Sequence, residues 1–359
     1  MAMGEPAGYL HVSDRPLAAA FDAALLDLDG VVYRGPDAVA GAVEAIAAAR
    51  RAGMRMAFVT NNANREPATV AAHLTSLGVP AEESEVVTAA QAAAALLAQE
   101  LPAGARVLPV GGPGLRTALK ERGFQLVADA RDVPAAVVQG FSPKVGWSDL
   151  AEATYAIRAG ARYLATNLDL TIPTERGIAP GNGTLVGVVR TATGVEPGAA
   201  GKPGPRIFHQ AAERVGSRRP MVIGDRLDTD LAGAVAAGMP GLLVLTGVSD
   251  ARDAVLAVPA ERPAFISRDL GGLLEPHAPT RREPAGWVCG GASARVVGGR
   301  LEVREPGAQP VEVVQTAAEL EISLDALRAA CCAAWEAADG GLAVAQLPRL
   351  RVARVPKLG

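Results

Sequence analysis

A chain of 359 residues with a formal net charge of -3, its acids and bases interspersed, has no broad basic face for a nucleic-acid backbone, so a nucleic-acid partner is not expected. Hydrophobic residues make up 49% and aromatics only 4%, a balance that suits Ala- and Gly-rich helices packed closely on a sheet and argues against general disorder. Met1 to Ala20 lacks the basic start and apolar run of a signal peptide, and no stretch reaches membrane-spanning length, so the cytoplasm and no membrane partner are expected.

From Phe21 to Thr60 the pattern predicts strand, turn, helix and strand: Ala23 to Leu26 apolar, Ala38 to Ala52 helix-like, Met56 to Val59 apolar again. Such a βαβ unit implies parallel strands, with ligands beyond their carboxyl ends. A second α/β series follows, with strands expected at Arg106 to Val110, Ala135 to Gln139 and Arg162 to Ala165 and a helix at Leu150 to Ala159. After Lys202 the first rhythm resumes. A helix is expected near Arg206 to Val215, a strand at Met221 to Ile223, a helix from Asp230 to Ala237 and a strand at Leu242 to Leu245. From about Pro276 short alternating runs (Ala294 to Val297, Leu301 to Arg304) and an Ala-rich helix around Leu324 to Ala338 suggest a small appended α+β module. Cys331 and Cys332 adjoin in that helix, where a mutual disulfide would be strained, so buried reduced thiols are expected, with Trp335 in the core. The division expected is residues 1–82 and 200–275 as one sheet domain, 83–199 as an insertion, and 276–359 as the appended module.

Polar residues end both strands of the first unit. Asp27 and Asp29 lie two apart just beyond a buried strand, so an extended chain would turn both side chains the same way. Thr60, Asn61 and Asn62 follow the next strand, where a hydroxyl and a backbone N–H can hold phosphate oxygens. Lys202 precedes Pro203 at an expected helix entrance; alone it reads as a solvated lysine. Asp225 follows the strand at Met221, within Gly-Asp-Arg-Leu-Asp-Thr-Asp, where Asp228 or Asp230 is expected as a helix N-cap and either could assist a metal.

In order, Asp-x-Asp-Gly-Val, Val-Thr-Asn-Asn, Gly-Lys-Pro and Gly-Asp-Arg-Leu-Asp-Thr-Asp resemble the four motifs of the haloacid dehalogenase superfamily, subfamily IIA, over residues 21 to roughly 275. The resemblance implies a Rossmann-like parallel core, an inserted α/β cap of the C2 type, and magnesium-dependent phosphomonoester hydrolysis. It implies Asp27 as nucleophile and Asp29 as the acid that protonates the leaving oxygen and then helps activate water. Magnesium would sit among the Asp27 carboxylate, the Asp29 main-chain carbonyl and the Asp225 carboxylate, with Thr60, Asn61, Asn62 and Lys202 on the phosphate.

The cap would select the leaving group through Asn167 and Asp169, in a stretch running through Pro173-Thr174-Glu175-Arg176-Gly177 to Pro180-Gly181-Asn182-Gly183 and read as a glycine-rich turn before a helix. Pyridoxal-phosphate-specific members carry a histidine where this chain has Ile172. That loop, the run Gly146 to Ala153 and the appended tail resemble the branch acting on glycerol 3-phosphate, which makes that metabolite the leading substrate and implies a role in glycerophospholipid catabolism. In the branch the tail looks like a truncated acetyltransferase-type fold; here it carries no cofactor-binding glycine pattern, and an interaction or homodimer-stabilising role is its modest reading. A broad phosphatase for 4-nitrophenyl phosphate, phosphoglycolate or nucleoside monophosphates is the alternative. A sugar-phosphate mutase or an inactive binding protein are the alternatives of another class; about thirty residues between Asp29 and Thr60 leave little room for a mutase-type helical cap.

Overall fold

A computed structural model of the chain describes residues 9–174, 176–313, 319–344 and 347–353. Residues 1–8 of the segment read for a signal peptide, and Glu175 of the cap loop, lie outside the described residues. The chain forms two compact units, residues 1–55 with 218–359 and residues 56–217. Among the described residues no helix is long and apolar enough to cross a membrane.

The first unit holds parallel strands in the order Phe265–Ser267, Gly241–Val244, Pro220–Gly224, Ala23–Leu26. Every residue of Ala23–Leu26 and Gly241–Val244 is buried, the continuous apolar run required of a strand covered on both faces. The helix expected at Ala38 to Ala52 is Ala42–Arg51, and it buries Ala42, Ala45, Ile46 and Ala49, one stripe at helical spacing. It starts late because Asp37–Ala38 pairs with Tyr33–Arg34 in a short antiparallel ladder and Gly41 takes φ 80, a left-handed conformation that breaks helix propagation. The helix expected from Asp230 to Ala237 likewise differs: Leu227–Leu231 is a π-helical turn, and only Ala232–Ala236 is α-helical.

In the second unit Arg55–Thr60 pairs in parallel with Val86–Thr88. A separate parallel sheet has the order Gly198–Ala199, Arg162–Ala165, Ala136–Gln139, Arg106–Val110, Gln125–Leu126. Helices Trp147–Arg158 and Asn182–Thr193 pack together, and Val137, Tyr163, Ile157, Val186 and Val189 form part of one core. The stretch read as a glycine-rich turn holds an antiparallel hairpin, Thr171–Thr174 with Gly177–Pro180. With Pro173 in one strand and the other strand largely exposed, it carries no alternating pattern from which to predict a strand.

The C-terminal part of the first unit is an antiparallel sheet, Arg281–Glu283, Gly286–Cys289, Ala292–Val297, Arg300–Arg304, Val311–Glu312 in sequential order, with a parallel pair Glu319–Ile322 and Arg349–Val352. Helix Leu324–Asp339 packs on that sheet. Ser323 caps it, its Oγ accepting from the Ala326 N–H at 3.0 Å. Buried residues occur all round this helix, from Leu324 to Trp335, because it lies inside one core that also takes in Leu243, Ala254, Val255 and Ile266. The three cysteines are free and buried, as expected, and burial pushes the Cys332 thiol up to about 11. The class is α/β with parallel sheets, together with an α+β C-terminal part.

Candidate active site

The first unit concentrates acid at the carboxyl ends of its parallel strands. Asp27 follows Ala23–Leu26 directly, its N–H donating to the Ile223 carbonyl at 2.8 Å, and Asp225 follows Pro220–Gly224. With Asp230 of the π-helical turn they bring three carboxylate oxygens within 4.8 Å of one another, Asp225 and Asp230 buried and Asp27 half-buried. Three like charges at that spacing repel by several kcal/mol per pair at an intermediate dielectric, unless a cation joins them. Hard oxygen donors so gathered fit a small divalent cation such as magnesium.

Backbone contacts fix the Asp225 carboxylate. Its Oδ2 accepts from the Val248 N–H at 2.7 Å, and its carbonyl accepts from the Ser249 N–H at 3.0 Å. The Ser249 hydroxyl oxygen accepts from the Leu227 N–H at 3.1 Å, tying the loop after Gly241–Val244 to the start of the π-helical turn. A Cβ on Gly30, which has φ +84, would meet Asp225 Oδ2 at 2.5 Å; one on Gly247 would overlap the same oxygen, and one on Gly224 would overlap Asp230. Glycine is the residue that lets backbone approach these carboxylates so closely.

The other acids separate. Asp29 is exposed, in the turn where the Val32 and Tyr33 N–H groups donate to the Leu28 carbonyl, and is not one of the three clustered carboxylates. The expectation of a helix N-cap at Asp228 or Asp230 fails for both. Asp228 forms an ion pair with Arg226 at 2.7 Å, and Asp230 Oδ2 accepts from the Arg226 N–H at 3.2 Å from within the turn. Between the two, the one beside Asp225 is Asp230, which the sequence left open.

The remaining candidates, Thr60, Asn61, Asn62, Asn167, Asp169 and Lys202, all lie in the second unit. Thr60 is buried, and its hydroxyl oxygen accepts from the Asn62 N–H at 3.1 Å. The Asn62 side-chain oxygen accepts from the N–H groups of Asn64 at 2.9 Å and Arg65 at 3.0 Å, so it shapes the loop. Lys202 is 4% exposed, which overturns the solvated-lysine reading of the residue taken alone; its Nζ donates to the Val59 carbonyl at 3.1 Å. Asn61 bonds to both Lys202 and Asp169, and the Asn167 Nδ2 donates to the Asn61 carbonyl at 2.7 Å. The support from Gly247, Val248 and Ser249 was invisible to sequence reasoning, because it is made of main-chain atoms, a small hydroxyl and an absent side chain.

An acid at one parallel-strand end, a Thr-Asn loop, a buried lysine and a second acid at another strand end, in that chain order, define a class. Family models for haloacid dehalogenase-like hydrolases match residues 24–125, and HAD-hydrolase-like proteins residues 199–273. The chain belongs to the haloacid dehalogenase-like hydrolases. Among its relatives it is similar to the D-glycerol 3-phosphate phosphatase of Mycobacterium tuberculosis, 45% identical over 327 residues, which are 90% of this chain and 88% of that protein. A crystal structure of the glycerol phosphate phosphatase of that organism in complex with magnesium superposes with a TM-score of 0.81 at 43% identity, covering 95% of this chain and 96% of that one. The acid sugar phosphatase of Staphylococcus saprophyticus is 36% identical over 71% of this chain and 97% of its own.

Proposed function

We propose that the chain is a magnesium-dependent phosphomonoesterase that converts glycerol 3-phosphate to glycerol and orthophosphate through an aspartyl phosphate on Asp27. The observation that carries this reading is the Asp27, Asp225 and Asp230 cluster at the strand ends, in a chain 45% identical to a D-glycerol 3-phosphate phosphatase.

A carboxylate oxygen of Asp27 attacks phosphorus in line with the ester oxygen, forming the Asp27 acyl phosphate as the P–O bond to glycerol breaks. Protonated Asp29 gives its proton to the leaving oxygen; its exposed position suits exchange with solvent. The resulting Asp29 carboxylate then takes a proton from the water that attacks the acyl phosphate, which releases orthophosphate and restores Asp27. Asp27, Asp225, Asp230 and the Asp29 carbonyl would hold magnesium, which would supply the positive charge that lets a carboxylate approach a phosphate dianion. Thr60 and Asn61, through hydroxyl and main-chain N–H, and Lys202, through its ammonium, bind the phosphate oxygens, and Asn62 shapes that loop.

On this reading residues 1–82 and 200–275 are the catalytic core, 83–199 the cap that carries Asn167 and Asp169, and 276–359 an accessory module. We place the enzyme in the cytoplasm, with a small phosphate ester as partner and a homodimer as its candidate assembly. The test is phosphate release from glycerol 3-phosphate, phosphoglycolate, 4-nitrophenyl phosphate, pyridoxal phosphate and nucleoside monophosphates, with magnesium and with a chelator. The highest kcat/KM is expected for glycerol 3-phosphate, with no turnover under chelation. Similar values across all esters would establish a broad phosphatase instead, and activity indifferent to chelation would remove the metal from the scheme.

A further inference from the structure

In the second unit one carboxamide sits at the centre of a closed hydrogen-bond network. Asn61 Oδ1 accepts from the Lys202 N–H at 2.8 Å, while its Nδ2 donates to the Lys202 carbonyl at 3.2 Å. The same nitrogen donates to the Asp169 carboxylate, at 3.2 Å to Oδ1 and 3.1 Å to Oδ2. The orientation is fixed by chemistry: turning the amide over would set an NH2 against the Lys202 N–H and an oxygen against the carboxylate. A single side chain thus grips Lys202 by both main-chain groups, and Asp169 holds that side chain in place. Gly201 belongs to the same arrangement, since a Cβ there would meet Asn61 Oδ1 at 2.5 Å and the Thr166 carbonyl at 2.6 Å.

The loop bearing Asp169 is itself anchored. The carbonyls of Asn167, Asp169 and Leu170 accept, respectively, from Asn182 Nδ2 at 2.8 Å, the Gly183 N–H at 2.9 Å and the Gly181 N–H at 2.8 Å. The Thr184 hydroxyl also donates to the Leu170 carbonyl, at 2.6 Å. A Cβ on Gly181 or Gly183 would overlap the carbonyls of Asp169 and Leu168, so these glycines do more than make a turn: they let the start of helix Asn182–Thr193 close on the loop. Asn167 Oδ1 accepts from the Asp169 N–H at 3.2 Å, and Asn167 Nδ2 reaches the Asn61 carbonyl. The loop is held by its own contacts, and its carboxylate is bonded to the Asn61 amide.

We infer that Asp169 is a positioning residue for Lys202, acting through Asn61, and that its influence falls on the phosphate end of the substrate rather than on the leaving group. The inference rests on the reading that Lys202 binds phosphate. A carboxylate paired with an amide N–H is among the stronger neutral-to-charged hydrogen bonds, and removing it leaves the part-buried amide with one donor unmatched. The Lys202 main chain then loses the constraint that fixes where its side chain starts.

The experiment compares wild type, Asp169→Ala, Asn61→Ala and the double variant by kcat/KM on glycerol 3-phosphate and on 4-nitrophenyl phosphate, and by the inhibition constant of orthophosphate, a probe with no leaving group. Asp169→Ala is expected to lower kcat/KM about ten-fold on both esters and to weaken orthophosphate inhibition by a similar factor. The double variant should be no worse than Asn61→Ala, because both changes break one chain of contacts. Loss confined to glycerol 3-phosphate, with orthophosphate inhibition unchanged, would make Asp169 a leaving-group contact and overturn the inference. So would multiplicative losses in the double variant, or a lower melting temperature with normal kinetics. If Asp169→Ala does not fold, Asp169→Asn, which keeps the shape and one accepting oxygen, is read by the same ratios. A wild-type protein that hydrolyses neither ester would instead sink the functional reading.

Discussion

Two residues put opposite demands on ionisation. On the proposed mechanism Asp27 must stay anionic to attack phosphorus and to hold a cation with Asp225 and Asp230, so Asp27→Asn keeps its shape and removes both capacities. Phosphate release should fall below about a hundredth of wild type with an unchanged circular dichroism spectrum, and more residual turnover than that would exclude a covalent role for Asp27. His277 must stay neutral. It is 2% exposed, its Nε2 accepts from the Ile266 N–H at 3.2 Å, and its ring lies edge-on to Phe265 at 5.0 Å. Burial, aided by the Arg328 charge, lowers its pKa from 6.5 to about 3. The unfolded chain takes up a proton near pH 6.5 that the native state refuses until about pH 3, so the stability is present in full above pH 6.5 and is lost as pH falls through that window. Each pH unit inside it costs about 1.4 kcal/mol. Denaturant unfolding between pH 7.5 and 4.5 should show wild type losing about 2–3 kcal/mol more than His277→Gln, whose amide can accept the same N–H without titrating; parallel pH curves for the two would contradict this.

At the scale of elements, the decisive piece is the loop after strand Gly241–Val244. It holds Asp225 by the Val248 N–H and leaves no room for a side chain at Gly247. Gly247→Ala places a methyl where Asp225 Oδ2 lies, so the carboxylate must swing out of the cluster. Half-saturation by magnesium should rise about ten-fold or more, with a melting temperature within a few degrees of wild type, because the methyl displaces a ligand rather than core. An unchanged magnesium titration would show that Asp225 does not hold the ion. Nothing in Thr246-Gly247-Val248-Ser249 announces this function, since sequence reasoning finds chemistry in side chains and here the working groups are main-chain N–H and vacant Cβ positions. The strands were legible for the converse reason: Ala23–Leu26, Arg106–Val110 and Arg162–Ala165 are mainly apolar runs that give way at once to polar or glycine residues. Asp27 and Asp225 were legible because each directly follows such a run, Ala23–Leu26 and Pro220–Gly224. Asp230 could not be told from Asp228, because a π-helical turn sets the facing of side chains differently from the α-helix the spacing implied. The hairpin at Thr171–Thr174 was missed because exposed strands need no alternation. Lys202 looked like a surface lysine because its burial comes from contacts with distant residues, Val59 and Asn61, which local pattern does not record.

At the scale of the molecule, the C-terminal part, read from sequence as an appended module, shares its core with the parallel sheet of the first unit. Leu324–Asp339 supplies Leu327, Cys331 and Trp335 to one apolar cluster with Leu243, Val255 and Ile266. The Trp335 indole N–H donates to the Ala254 carbonyl at 3.1 Å, and Arg328, 7% exposed, donates to the Ile266 carbonyl at 2.9 Å. Arg262 pairs with Asp339 through two bonds of 2.8 Å and lies 5.4 Å from the Trp335 ring centre. Backbone carbonyls of strand Phe265–Ser267 and of helix Ala251–Val255 therefore accept from donors of the module, and removing it would expose apolar surface as well as unmatched acceptors. It follows that the two should unfold together. In a Trp147→Phe background the remaining tryptophans, Trp287 and Trp335, both report on the module. Urea titration followed by their fluorescence and by phosphate release after equilibration at each urea concentration should give coincident midpoints. Trp335→Ala should lower both midpoints together, by an amount equivalent to about 3–5 kcal/mol, the usual cost of deleting a buried tryptophan. Fluorescence lost at a urea concentration where phosphate release persists would mean that the module opens by itself, and the shared core would then be dispensable for holding Asp27 and Asp225 in place.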